Sequence, residues 1–174
     1  YDWRYHTEPE PGLDGRRLHT PRGKVLGGSS SINGLVYVRG NPSDFDRWES
    51  EGAAGWNYAA VLPYFRRAET RAEGGNEYRG DAGPLQTRYG TLANPLHAAW
   101  LAAGEQAGYP RTTDINGYQQ EGFGRFDMTV GDGRRCSAAN AYLRPALRRA
   151  NVAVRTHALA TGLVFEGGRA VGVR

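Results

Sequence analysis

A mixed α and β fold is what this 174-residue sequence predicts, and three observations carry the prediction. A Gly/Ser loop at residues 27–31 runs into an apolar stretch containing Leu35, Val36 and Val38, the pattern of a turn feeding a buried segment. Asn94 and Pro95 open a helical repeat that sets Leu96, Ala99, Trp100, Ala103 and Ala107 at amphipathic spacing. Residues 163–171 read as a β-hairpin turning at Gly167-Gly168. With 39% hydrophobic residues the chain has apolar material for one core.

Taken in order, residues 1–23 are rich in Pro, Gly and charge and read as an extended segment over the fold, turning at Gly12 and at Asp14-Gly15. Residues 32–38 suit a short buried helix or strand, and periodicity does not choose between them. Pro42-Ser43-Asp44 begins a helix that puts Phe45 and Trp48 on one face and stops by Gly52. Asn57 caps a second helix, which Pro63 is expected to kink or restart before Tyr64 and Phe65. The aromatic residues of these helices read as packing. The Gly-rich, charged stretch 71–89 reads as an exposed loop or lid. The helix opened by Asn94 stops at Gly108 with its apolar face in the core. Ser137 caps a further helix through Tyr142 and Leu143 that Pro145 disturbs, and residues 152–155 alternate as a strand would.

Composition excludes several functions. The formal net charge is +4, but only one of the 22 basic residues is Lys, and the arginines come singly or in isolated pairs among 18 acids. No basic run forms that could track a phosphate backbone, so nucleic acid is not expected as a partner. The single cysteine, Cys136, excludes an internal disulfide and a cysteine metal cluster, and reads as packed rather than catalytic. No apolar run approaches the ~20 residues that cross a bilayer. His6, His19, His97 and His157 share no motif with a carboxylate or a second His and read as structural. Asp44, Asp46, Asp114 and Glu121 read as helix-terminal and turn charges. No catalytic residue and no metal ligand is assigned.

The Gly/Ser loop remains. Gly27 and Gly28 lack a Cβ, so the backbone turns tightly and a ligand comes close, while Ser29, Ser30 and Ser31 add hydroxyl donors. Backbone N–H groups presented this way suit a pyrophosphate or the polar edge of a ring.

The run Pro21-Arg22-Gly23-Lys24-Val25-Leu26-Gly27-Gly28-Ser29-Ser30, followed by Ile32-Asn33-Gly34, resembles the first signature of the glucose-methanol-choline (GMC) oxidoreductases, which use FAD to oxidise alcohols. Thr7-Glu8-Pro9-Glu10-Pro11, Gly55-Trp56-Asn57-Tyr58, Leu62-Pro63-Tyr64-Phe65, residues 114–124 and Ala141-Tyr142-Leu143 are similar to its choline-oxidising branch. The resemblance implies an internal piece of a Rossmann-like FAD domain joined to a substrate domain. Residues 1–95 then belong to the FAD domain with its flavin loop and a lid over FAD, 96–150 begin the substrate domain, and 151–174 return to FAD-domain strands. Two parts of the family pattern are missing: a Gly-x-Gly-x-x-Gly for the ADP half of FAD and a late His pair or His-Asn pair for proton chemistry.

By the same resemblance Val25, Asn33, Gly34, Leu35 and Val36 lie against the flavin, Gly27, Gly28, Ser29 and Ser30 approach the pyrophosphate and ribityl chain, and Ala160 meets adenine through its backbone. Ile32 stands where some relatives carry the His that links flavin covalently, so FAD is expected to be held without a covalent bond. The implied reaction takes a choline-like primary alcohol to an aldehyde, with hydride moving to flavin N5 and electrons passing to a quinone or oxygen. Placement is expected in the cytoplasm, with attachment at an inner membrane allowed through a quinone acceptor. A family enzyme for aliphatic or aromatic alcohols and a non-catalytic remnant or interaction module are the rival readings.

Overall fold

The computed structural model describes residues 1–174 and mixes helices with ten short strands, as the pattern requires. Two compact units divide the chain, Tyr1–Arg144 and Pro145–Arg174. In the first, β1 (Tyr5–His6) pairs antiparallel with β2 (His19–Thr20). The connection contains the expected turn, with Asp14 at φ 55° and Gly15 at φ 71°. This hairpin brings the His6 and His19 rings to 5.3 Å and His19 Nε2 to 2.8 Å from Asp2 Oδ2. All three side chains remain open to water or partly so.

The helices begin where their caps dictate. Helix α1 (Pro42–Ser50) starts after Asn41, whose side chain accepts from Ser43 N (3.0 Å) while Asp44 Oδ2 accepts from Asn41 N (3.2 Å). Helix α2 (Tyr58–Ala68) starts after Asn57, whose Oδ1 accepts from Ala60 N (2.9 Å). Pro63 lies inside a continuous α2, so it does not restart the helix. A proline removes one intrahelical bond; here packing retains the helix, with Phe65 5.6 Å and Tyr58 6.2 Å from the buried Phe45 ring. Trp48 closes the same aromatic cluster at 5.2 Å.

Behind these helices lies a four-stranded sheet, built from β3 (Val36–Tyr37), β4 (Glu69–Arg71), β5 (Leu85–Tyr89) and β6 (Asp127–Met128) in the order β3-β6-β5-β4. β4 and β5 run parallel; the other pairs are antiparallel. The stretch 71–89 is thus only in part the expected exposed loop: residues 72–77 are exposed, but its end is a strand of the sheet. It carries Arg79, 1% exposed, into the centre of the unit. Arg79 donates through Nε (3.0 Å) and Nη2 (2.5 Å) to the two oxygens of Glu69, and its Nη1 reaches Asp114 Oδ1 (2.5 Å) and Asp127 Oδ2 (3.0 Å). Arg39 Nη2 adds a bond to Glu69 Oε2 (2.6 Å) and Thr87 Oγ1 another to Oε1 (2.6 Å). Burial alone would disfavour the ionised Glu69, but these donors outweigh it and hold the carboxyl below its ordinary value. Burial likewise works against the Arg79 charge, and its three carboxylates more than offset this.

Helix α3 (Pro95–Gln106) forms as expected, with Asn94 Oδ1 accepting from Leu96 N (2.9 Å), but on a different face. Leu101 and Gly104 are buried, whereas Leu96 and Trp100 are 70% and 66% exposed. Gly104 shapes that contact: any Cβ there would overlap the Phe123 ring, so bare backbone packs on it, and of the expected stripe Trp100 meets the same ring at 5.6 Å while remaining largely exposed. The segment 32–38, expected to be buried, leaves Val36 and Val38 about half exposed. After β6 a ribbon forms from β7 (Val130–Gly131) and β8 (Arg134–Arg135), and a single wide turn of π-helix follows at Ala139–Leu143. Ser137 Oγ accepts from Asn140 N (3.3 Å) at its start.

In the second unit β9 (Leu163–Glu166) and β10 (Arg169–Val173) form the expected antiparallel hairpin, with Gly167 and Gly168 at φ 54° and 79°. Residues 152–155, expected as a strand, are irregular: no strand pairs with them, so alternation has nothing to bury against.

Removing one member of the buried ionic cluster leaves its partners charged and dry. Glu69→Gln and Arg79→Met are each expected to lower unfolding free energy by about 3–5 kcal/mol in urea titrations. Leu101→Ala should cost about 2–5 kcal/mol by the same measurement. Because Glu69 ionises more readily folded than unfolded, its contribution is complete above pH 4.5 and is lost as pH falls below that value, which thermal melts across an acid series would follow.

Candidate functional site

The Gly/Ser loop folds into a 3-10 turn at Gly28–Ser31, entered through Gly27 at φ 90° and Gly28 at φ 56°. The two glycines do different work. A Cβ on Gly27 would collide with Ser31 Oγ and press on Ala139, so this glycine is required by close packing. A Cβ on Gly28 or on Gly34 would meet nothing within 4 Å, so these two residues leave bare backbone facing open space. Val25, Leu26, Ile32, Val36 and Val38 are exposed around that backbone.

The hydroxyls are not all free donors. Ser30 Oγ donates to Gly27 O (2.5 Å) and Ser31 Oγ to Leu26 O (2.8 Å), folding the loop on itself, while Ser29 Oγ accepts from Gly23 N (3.2 Å). Asn33 Oδ1 accepts from Leu35 N (3.1 Å), closing a short turn in which Leu35 takes φ 69°, left-handed for a branched side chain. Leu35 O then accepts from Thr129 N (2.8 Å) and Thr129 Oγ1 (3.1 Å). Ala138 N donates to Ser30 Oγ (2.9 Å), and Arg135 Nη1 donates to Ser30 O (3.2 Å) and Asn33 Oδ1 (2.7 Å).

The structure thus gathers Val25, Gly27, Gly28, Ser29, Ser30, Asn33, Gly34, Leu35 and Val36 in one continuous loop and strand. Ala160 lies in the second unit, exposed and outside any regular element. Thr129, Arg135 and Ala138 hold the loop and carry no local sequence signal of that role, being about a hundred residues away. Cys136 is half-buried, its Sγ accepting from Gln86 N (3.3 Å), which is a packing role. No group of three or more His, Cys, Asp or Glu could hold a metal ion, and no helix is long and apolar enough to cross a membrane.

Bare backbone edged by apolar side chains fits a flat ring with a polar edge better than a compact polar ligand. The family model described as GMC oxidoreductase matches residues 10–174. The chain belongs to this family. Mouse mitochondrial choline dehydrogenase is 56% identical over 173 residues, which is 99% of this GMC chain and 29% of that protein. Among solved structures, pyridoxine 4-oxidase from Mesorbium loti superposes with a TM-score of 0.91 at 35% identity, over 99% of this chain and 35% of that one. An FAD-dependent oxidoreductase from Chaetomium thermophilum gives 0.89 at 28% identity, over 99% and 32% of the two chains. The GMC chain spans about 30% of the length of the curated relatives it matches.

The two glycines predict different penalties. Gly27→Ala should destabilise by about 2 kcal/mol, from strain plus collision, and Gly28→Ala by only about 1 kcal/mol, from backbone conformation alone. Thermal unfolding of the two variants side by side makes the comparison.

Proposed function

We propose that this chain supplies the flavin-side loop of an FAD-dependent oxidoreductase acting on CH–OH groups, with a choline-like primary alcohol as substrate and an aldehyde as product. The observation that carries the reading is the 56% identity to a choline dehydrogenase across 99% of the chain, the loop included. FAD, when bound, accepts the hydride of the alcohol carbon at N5. The residues here fit that cofactor through their donor set and shape. Val25, Asn33, Gly34, Leu35 and Val36 would hold the ring, and Gly27, Gly28, Ser29 and Ser30 the chain leading to the pyrophosphate.

What these residues do is bind, orient and exclude water. Gly28 and Gly34 let a ligand approach the peptide plane without a Cβ in the way; the Gly28, Ile32 and Asn33 N–H groups already bond to carbonyls of the loop, so these peptides give a ligand close approach and fixed shape rather than free donors. The exposed Val25, Ile32 and Val36 gain by covering an apolar ring, each about 1 kcal/mol for partial burial. Ser30 and Ser31 hydroxyls already bond to loop carbonyls, so their part is to keep the loop's shape rather than to donate to the ligand. Ala160 remains a proposed backbone contact to adenine. No residue of the chain is proposed as acid or base.

The electron acceptor is proposed to be a quinone or oxygen, and FAD is proposed to be held without a covalent bond, since Ile32 offers no nucleophile. A second reading, oxidation of another alcohol, draws on the likeness to pyridoxine 4-oxidase; the higher identity to choline dehydrogenase is what supports choline as the first proposal.

The test uses the full-length protein that contains this chain. It is expected to purify with flavin absorbance, to release all its flavin into the supernatant on acid precipitation, and to turn over choline faster than pyridoxine or benzyl alcohol. Flavin remaining with the precipitate would overturn the non-covalent assignment, and a colourless protein that takes up no added FAD would overturn the function.

A further inference from the structure

We infer that Arg135 is a positioning residue for the cofactor loop, acting through Asn33, an assignment that rests on the flavin reading above. Asn33 Oδ1 does two things at once: it accepts the Leu35 N–H that closes the left-handed turn, and it accepts Arg135 Nη1 at 2.7 Å. Leu35 at φ 69° is a conformation that a branched L-residue adopts only when its surroundings impose it. The same Nη1 reaches Ser30 O, so one guanidinium nitrogen joins the last part of the 3-10 turn to Asn33, two residues beyond its end.

Arg135 is itself fixed before it reaches the loop. Its backbone pairs with Val130 in the β7–β8 ribbon, and its carbonyl accepts from Asn140 Nδ2 (2.9 Å) at the π-helical turn. The neighbouring Cys136 N donates to Thr129 O (2.9 Å), and Thr129 in turn bonds Leu35 O twice. Ribbon and loop therefore form one hydrogen-bonded body, with Arg135 as its cationic link. Its acceptors are a carbonyl and an amide oxygen, not a carboxylate, so its positive charge is left uncancelled by the groups it bonds. Were that loop to hold a ring that gains electrons, an uncancelled cation on the loop would favour the reduced form.

The experiment uses the full-length holoenzyme and reads three quantities: FAD dissociation constant, flavin midpoint potential, and melting temperature of the apoprotein. Arg135→Met keeps much of the aliphatic stem and removes the donor. It should weaken FAD binding about tenfold or more and lower the midpoint potential, with a smaller effect on the apoprotein melt. Arg135→Lys can still place one charged donor between the two oxygens and should recover most of the affinity. In a double-mutant cycle, Asn33→Ala combined with Arg135→Met should weaken binding little more than either change alone. Unchanged affinity and potential in Arg135→Met, or fully additive effects in the cycle, would overturn the assignment while leaving the flavin reading intact. If Arg135→Met does not fold, Arg135→Lys and Asn33→Ala decide: a Lys variant as impaired as Asn33→Ala overturns it, and one close to wild type supports it. A wild-type protein that binds no FAD would overturn the flavin reading itself.

Discussion

Arg79 makes the first unit what it is. Its guanidinium contacts carboxylates from β4, from β6 and from the Asp114 turn, so three separate stretches of chain must converge before its charge is satisfied. The apolar core is small, with Phe45, Leu101, Ile115, Ala139 and Ala141 its buried hydrophobic members. Specificity at the centre therefore falls to an ionic cluster in which Arg39, Arg71 and Arg79 face Glu69, Asp114 and Asp127. Such clusters add less net stability than well-packed hydrophobic groups would, yet they tolerate few alternative arrangements, because any unpaired member is a dry, isolated charge.

That cluster reaches the candidate site in two steps. Asn116 Nδ2 donates to Asp127 Oδ2 (3.0 Å) and to Tyr37 O (3.1 Å), and Asn116 Oδ1 accepts from Arg39 N (2.8 Å). β3, which leaves the Gly/Ser loop, is thereby tied to the ionic centre at its far end, through Tyr37 and through Arg39 just beyond it. Two residues beyond Asp127, Thr129 takes hold of Leu35 O. A loop built on glycine would otherwise have many conformations available; here its exit strand and its turn are both hydrogen-bonded to neighbouring elements. The Tyr37 hydroxyl accepts from Arg39 Nε (3.1 Å), and burial raises it above its ordinary value against the opposing pull of that arginine.

Local rules were legible where they acted within a few residues. Asn41, Asn57 and Asn94 each cap the helix they precede, and Gly167-Gly168 turns the last hairpin, because the bonding partner of each lies within four positions. Stretch 71–89 misled for the opposite reason. Glycine and charge usually mean solvent, and nothing near Arg79 in sequence reveals that Glu69 and Asp127 will surround it. Face selection on α3 failed similarly, since the Phe123 ring that seeks the bare backbone of Gly104 arrives from a distant loop.

By itself the sequence determined the helix starts, the turns and the family resemblance, all properties of contiguous residues whose φ preferences and hydrogen-bonding groups act locally. Only the tertiary structure decided which charges are buried, which face of α3 packs, that the Ser30 and Ser31 hydroxyls are used internally, and that Arg135 braces the loop. The physical reason is range: an ion pair or a ring against a glycine is set by distance in space, and the chain distance between partners leaves no periodic trace to read.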